Sequence, residues 1–457
     1  MGVTPKRELS LFDSTCIIVG IIIGAGIYQM APDIAKGAGS WWGVLAIWIV
    51  GGLLSLAGAL SYAELATAYP QQGGDYVYLS RAYGRWAGFL FGWAQLTVVR
   101  PGDIAIMAFA FATYGRAIYD PLGAHPGVSQ RVFAGAAVLV LTIINVLGVR
   151  QGKWTQNLLT TAKALGLLAI VGVAVAAPRG AGTAPAEAGA LPVTLALIFV
   201  LFTYGGWNEM AYVAAEVKDP RRNIVRALVV GTAAVIALYL LVNGAFLYTL
   251  GYNGLAGSKA VASEAIGTVF PVVGSRLISA LVCISALGAV NGLIFTGARI
   301  SYAVGEDHRI FRALGRWDPR TGTPVWALAV QGLIALALIL AFGGYIDAIL
   351  YTAAAVYAFY LGTSLSVIVL RFKEPDVERP YKVTGYPITP LVFSGVCLFL
   401  IYSSINYARN FKPISLIVLA VALGLGILIY VVTGVLGMNP AGEKSAQARG
   451  ASSSDLQ

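Results

Sequence analysis

Twelve apolar runs separated by short polar segments organise the chain, at about residues 11 to 36, 41 to 69, 85 to 118, 131 to 149, 157 to 177, 191 to 215, 227 to 252, 275 to 304, 325 to 342, 345 to 370, 388 to 408 and 413 to 436. About 20 apolar residues rising 1.5 Å each cross the roughly 30 Å of a bilayer's hydrocarbon. The pattern therefore predicts an all-α polytopic membrane protein with 12 transmembrane helices. The third run is long for one span and predicts a tilted helix. A polar, small-residue tail follows from about Asn439 to Gln457. It carries too little apolar surface to order itself, so one transmembrane domain is expected over 1–436 and a disordered cytoplasmic tail over 437–457.

Composition narrows the class. Of 457 residues, 58% are hydrophobic and 11% charged, with a mean hydropathy of +0.76, which excludes an ordinary soluble protein. Lys6 and Arg7 precede the first run as they would a signal peptide, but the run is too long for one and reads as a retained span. The net charge of +10 is a matter of topology, because Lys and Arg set membrane orientation. Twenty basic residues fall in the loops of one side, from Lys6 through Arg81, Arg150, Lys218 and Arg309 to Arg371 and Arg449, against seven on the other. Both termini are therefore expected in the cytoplasm, and no basic patch calls for nucleic acid. Lys36, Arg100, Lys163 and Arg299 belong to neither group. Cys16, Cys283 and Cys397 lie in apolar runs, and the only histidines, His125 and His308, lie in loops. No cofactor or metal site is implied, and an intramembrane enzyme would need His, Asp or Glu clustered within the spans.

Two of the runs are interrupted. Ile21-Ile22-Ile23-Gly24-Ala25-Gly26-Ile27-Tyr28 places two glycines inside the first span, and Phe202-Thr203-Tyr204-Gly205-Gly206-Trp207-Asn208 does the same in the sixth. One glycine pair is readily explained by close helix packing. A pair of interrupted segments at corresponding places in two halves points instead to a transporter binding site. Backbone groups released from a helix inside a bilayer are tolerated only where protein, water or ligand satisfies them, so the breaks predict a polar cavity. With breaks in spans one and six, the chain reads as two halves of five spans plus two more. An odd-numbered repeat enters the membrane from opposite sides in its two copies, which makes the repeat inverted. Free amides at half-helix N-termini and free carbonyls at C-termini together suit a zwitterion. A carboxylate is expected on the amides of Ala25 and Gly26, and an ammonium on carbonyls around Ile23, Phe202 and Tyr204.

These residues also carry a family likeness. Gly24-Ala25-Gly26-Ile27 resembles the G-[SA]-G-I motif of the amino acid–polyamine–organocation superfamily. Phe202 to Asn208 followed by Glu216, Pro220, Arg222-Asn223 and Arg226 is similar to its L-type amino-acid transporter branch. So are Gly288-Ala289-Val290-Asn291-Gly292 with Arg299, and Arg379-Pro380-Tyr381-Lys382-Val383. The resemblance covers nearly the whole chain to about residue 436. It implies a LeuT-like 5+5 inverted repeat with broken helices 1 and 6, with repeat one at about 11–177, repeat two at about 191–370 and extra helices at about 388–436. It further implies sodium-independent amino-acid transport by alternating access.

Carried over position by position, the resemblance maps a substrate site onto Ile23, Gly24, Ala25 and Gly26 with Phe202, Thr203, Tyr204 and Gly205. Phe202 becomes an aromatic gate, and Trp207 and Asn208 line the distal pocket or shape its opening. Lys163 in span five either snorkels or is paired, since an intramembrane lysine is costly. The resemblance places it where sodium-coupled relatives hold a sodium ion, as a fixed charge bridging spans one and eight or, if burial neutralises it, as a proton carrier. Arg100 and Asp103 around Pro101-Gly102 are expected to neutralise each other at a kink. Glu209 either pairs locally or makes an acidic spot favouring cationic substrates, whereas the resemblance implies a neutral preference from Gly205, where relatives that accept cationic amino acids can carry an acidic residue. Tyr69 to Tyr76 reads as a cytoplasmic, partly re-entrant gating loop. Animal members of the family link to a glycoprotein heavy chain through a cysteine after span three, but Tyr119 to Gln130 contains none. A free-standing transporter of the bacterial inner membrane is therefore expected. The reading favours a sodium-independent exchanger of neutral L-amino acids. A proton-coupled symporter, a carrier of cationic amino acids or polyamines, and a transporter-like amino-acid sensor are the alternatives.

Overall fold

The computed structural model describes residues 6–177, 191–271, 273–341, 345–411 and 413–435; the tail expected to be disordered lies outside them. In chain order the α-helices are α1 (Leu11–Ile22), α2 (Gly26–Gln29), α3 (Ala31–Ala38), α4 (Trp41–Ala68), α5 (Asp75–Tyr83), α6 (Arg85–Ala94), α7 (Arg100–Ile118), α8 (Pro126–Leu147) and α9 (Val149–Ala176). They continue as α10 (Val193–Thr203), α11 (Glu209–Tyr212), α12 (Pro220–Gly257), α13 (Val261–Gly267), α14 (Gly274–Asp307), α15 (Val325–Ala341), α16 (Tyr345–Lys373), α17 (Ile388–Phe411) and α18 (Pro413–Val435). Among the described residues, ten helical stretches are long and apolar enough to cross a membrane, and α10 and α15 are shorter apolar helices. These two stand where the sixth and ninth of the twelve expected spans were drawn. The sixth is cut short because its helix stops at Thr203.

Several boundaries differ from the apolar pattern for identifiable reasons. Polar residues 150–156 fall between the fourth and fifth apolar runs, yet α9 runs through them and only Gly148, at φ +152°, separates it from α8. The polar side chains are used inside the protein: Lys153 reaches Asp13 at 3.4 Å, and Gln156 donates to the Cys16 carbonyl at 3.4 Å. The long third run is α6 and α7 joined by a π-helical turn at Gln95–Val99, just before Pro101, which has no N–H to continue the ladder. The Tyr69–Tyr76 loop folds inward: Gln72 donates to Glu216 at 2.9 Å, and Asp75 at the start of α5 accepts from Tyr62 and Thr363.

Helix α14 is buried along most of its length, whereas α18 is largely exposed. Exposed Leu158, Leu165, Leu333, Leu340 and Ile414 on the outer helices are what a lipid-facing surface requires. Apolar burial gives little drive between helices in lipid, so close backbone approach has to do that work. A seam of glycines supplies it. A Cβ on Gly20 would lie 2.2 Å from both Gln156 and Thr160, one on Gly292 would lie 2.4 Å from Ile21, and one on Gly288 would lie 2.7 Å from the Lys163 ammonium. These residues draw α1, α9 and α14 together around the first break.

Candidate functional site

Helical bonding in α1 ends at Ile23, whose amide still reaches Val19 at 3.0 Å, and Gly24 then turns back to Ile22 at 2.8 Å. The amides of Ala25 and Gly26 find no backbone acceptor outside α2 among the described residues. The second break runs from Tyr204 to Asn208 between α10 and α11. Gly205 donates to Phe202 at 3.0 Å, and Gly206 takes φ +111°, a conformation that only glycine adopts readily. The two breaks touch. A Cβ on Gly206 would meet Ile21 Cγ2 at 2.7 Å and its backbone at 3.3 Å, and one on Gly26 would meet Thr203 Oγ1 at 3.1 Å. Tyr239 ties them together, donating to the Ile22 carbonyl at 3.0 Å with the Thr203 carbonyl at 3.5 Å.

This contact makes a direct prediction. Gly206→Ala forces both a disfavoured φ and a clash, and is expected to cost about 1–3 kcal/mol and to abolish function. Gly424→Ala, in α18 with nothing within 4 Å, is the control and is expected to leave the melting temperature unchanged or slightly raised. Equal melting temperatures for the two variants would show that the break does not depend on Gly206.

Beside the breaks lies a cavity of about 140 Å³. Of the residues expected there, Gly24, Gly26, Phe202, Thr203, Gly205 and Trp207 line it. Ile23, Ala25, Tyr204 and Asn208 sit behind its wall, all buried. Tyr204 points toward α4, its hydroxyl 3.2 Å from the Trp48 carbonyl. Asn208 accepts from Tyr360 at 2.8 Å and donates to Tyr212 at 2.9 Å, so it acts through Tyr360, which does line the cavity. Trp207 is wedged among Tyr62, Tyr360 and Phe393 with ring centroids 5.1, 5.7 and 5.5 Å away.

Lys163 is fully buried. Its ammonium donates to the carbonyls of Gly20 at 2.7 Å, Ile23 at 2.8 Å and Ser285 at 2.8 Å, and so joins α9 to the first break and to α14. The single Ser285 hydroxyl hydrogen lies between the Ile23 carbonyl at 2.9 Å and the Gly24 carbonyl at 3.1 Å. With Lys163 on it and the Ser285 hydroxyl nearest to it, the Ile23 carbonyl has little acceptor capacity left, which directs an incoming ammonium to the carbonyls of the second break. Ser285 carries no sequence signal of its own: it is one serine in an apolar run, and only the meeting of α14 with α1 gives it a role.

The other three intramembrane cations have carboxylate partners. Lys36 pairs with Asp33 at 2.7 Å and Arg299 with Glu216 at 2.8 Å. Arg100 pairs with Glu209 at 2.9 Å rather than with its neighbour Asp103. That pair crosses from α7 to the residue just after the second break, where Thr296 also donates to Glu209 at 2.5 Å. Glu209, ambiguous in the sequence, is thus neutralised, while Asp103 opens to the cavity.

A cavity at the junction of two broken membrane helices, lined by released backbone and aromatic rings, suits a small zwitterion. A model described as amino acid permease matches residues 9–429. The chain is 33% identical over 410 residues, 88% of it and 83% of the relative, to the b(0,+)-type amino acid transporter 1 of Mus musculus. It is 32% identical over 408 residues, 88% and 83% of the two chains, to the same-named protein of Homo sapiens. It is also 34% identical over 403 residues, 86% and 76%, to the large neutral amino acids transporter small subunit 2 of Mus musculus. The chain belongs to the amino acid permease family, in the L-type branch of the amino acid–polyamine–organocation superfamily, and is an integral-membrane amino-acid transporter rather than an enzyme.

Proposed function

We propose that the protein is a sodium-independent exchanger of neutral L-amino acids working by alternating access. The observation that carries this reading is the Lys163 ammonium on the carbonyls of Gly20, Ile23 and Ser285. Main-chain carbonyls with a nearby serine hydroxyl are the kind of oxygen cage a sodium ion would use, and here a covalently held cation fills it. The charge that an ion would bring with each cycle is permanent. The Gly26 amide, at the cavity wall, then takes the substrate carboxylate with the Ala25 amide next to it in the unwound turn, carbonyls of the second break take its ammonium, and Phe202 closes over it. Trp207, with Tyr360 held by Asn208, bounds the distal pocket. The accompanying architecture is LeuT-like: twelve helices, with inverted five-helix repeats at about 11–177 and 191–370, extra helices at about 388–436, and both termini in the cytoplasm. The absence of cysteine from Tyr119 to Gln130 supports a transporter that works without a disulfide-linked heavy chain.

Purified protein in liposomes, at equal pH and without sodium, tests the reading. Uptake of labelled neutral amino acid is expected only when unlabelled amino acid is inside. A second reading, proton-coupled symport, is favoured by one feature: all Lys163 partners are uncharged, so its deprotonation orphans no carboxylate. Uptake into empty liposomes that rises with an inward proton gradient would replace exchange by that mechanism.

A further inference from the structure

Two carboxylates line the cavity, Glu209 and Asp103, and their situations differ. Glu209 is closed off, accepting from Arg100 Nη1 at 2.9 and 3.0 Å and from Thr296 at 2.5 Å. Asp103 joins no ion pair among the described residues, and its hydrogen-bond partner is the neutral Thr352 hydroxyl on α16. It is only partly buried, and what it opens to is the cavity. Among the described residues Arg100 is the cation that pairs with these acids, and it is taken by Glu209, so the trio holds one cation for two carboxyl groups.

The register of α7 fixes where that charge sits. Met107 touches the first break: a Cβ on Gly24 would lie 3.1 Å from its sulfur. Asp103 is four residues earlier on the same face, one turn or about 6 Å along the helix axis. A substrate whose carboxylate and ammonium occupy the breaks thus has the Asp103 carboxylate within reach of a three- or four-carbon side chain. The wall between is apolar, made by Ile106, Met107 and Val356, with the Tyr357 ring nearby. Methylenes fit that stretch and an ammonium fits its end.

We propose that Asp103 is a specificity-determining residue that accepts the side-chain ammonium or guanidinium of cationic amino acids, widening the range of the site beyond neutral substrates. The inference rests on the reading of the two breaks as the seat of the substrate's own carboxylate and ammonium. Nothing in the sequence separated Asp103 from Arg100, because their proximity suggests mutual neutralisation. Only the capture of Arg100 by Glu209 leaves Asp103 available.

The test is exchange by the full chain in liposomes, with labelled L-lysine, L-ornithine and L-leucine measured in parallel. Asp103→Asn keeps the shape and removes the charge. It is expected to lower the lysine-to-leucine ratio of kcat/KM about tenfold or more, the scale of a lost charge-assisted hydrogen bond. Asp103→Glu, which restores the charge one methylene further out, is expected to keep cation transport and shift preference from lysine toward ornithine. A ratio unchanged in Asp103→Asn overturns the proposal. Should that variant fail to fold, competition in the unaltered protein decides: lysine must inhibit leucine exchange at least as well as its neutral isostere norleucine, and lysine without effect overturns the proposal. Leucine exchange without any lysine exchange refutes this inference alone. Absence of all amino-acid exchange refutes the underlying site reading, and the inference with it.

Discussion

Lys163→Ala is expected to reduce transport by about a hundredfold or more and to lower the melting temperature in the same preparation. The Gly20 carbonyl shows why. In an unbroken helix it would accept from the Gly24 amide, but that amide turns to Ile22, so the carbonyl is an orphan of the break and Lys163 is its donor. The variant leaves it, one lone pair on Ile23 and one on Ser285 without a partner. The Gly20 carbonyl, left with no donor at all, costs about 1–3 kcal/mol by itself, and the two lost bonds on Ile23 and Ser285 add to it. Gly288 makes the arrangement possible, since a side chain there would occupy the ammonium's place. If the ammonium stands in for an ion, sodium chloride is expected to raise the variant's melting temperature relative to choline chloride and to leave the parent's unchanged. A variant that transports normally, or one indifferent to sodium, would remove the basis for the fixed-charge reading.

The second large effect is Arg100→Met. Side chains of Arg100 and Glu209 are 3% and 6% exposed, and removing one partner of so buried a pair typically costs about 3–5 kcal/mol through the charge left behind. Thr296 alone cannot offset it. The double variant Arg100→Met with Glu209→Gln is expected to regain most of that stability, because a neutral pair of similar volume incurs no such desolvation. Transport should recover less than stability, since Glu209 immediately follows the second break and its bond to Arg100 helps set the position of that segment. Thermal melts and exchange rates of the two single variants and the double variant form the cycle. Additive effects would mean that the pair does not couple α7 to the break.

These predictions draw on two kinds of information. The apolar runs, both glycine breaks and the four intramembrane cations were legible in the chain because each is a local property. A span needs only consecutive apolar residues, a break needs only glycine, and a charge in a span stands out by itself. The family likeness also implies the place of Lys163 beside the first break, though not that α9 begins as early as Val149. Partner choice was not legible. Arg100 and Glu209 are separated by 109 positions, Asn145 and Asn291 by 146, and Ser285 and Ile23 by 262. At such distances no periodicity or spacing says which helix faces meet.

The same reason explains the residues that traded places. Asn208 and Tyr204 were expected at the pocket and lie behind it, because an unwound segment loses the 3.6-residue register that would have told their directions. Asp103 was expected to be spent on Arg100 and instead faces the cavity. The helical class, the location of the breaks and the expectation of a cavity beside them were determined by the sequence, through hydropathy and glycine's conformational freedom, although the cavity's lining is mostly apolar. Which groups fill that cavity, and which charges remain unspent within it, was decided only by tertiary packing, because burial of a charge or carbonyl demands a partner that another helix must bring.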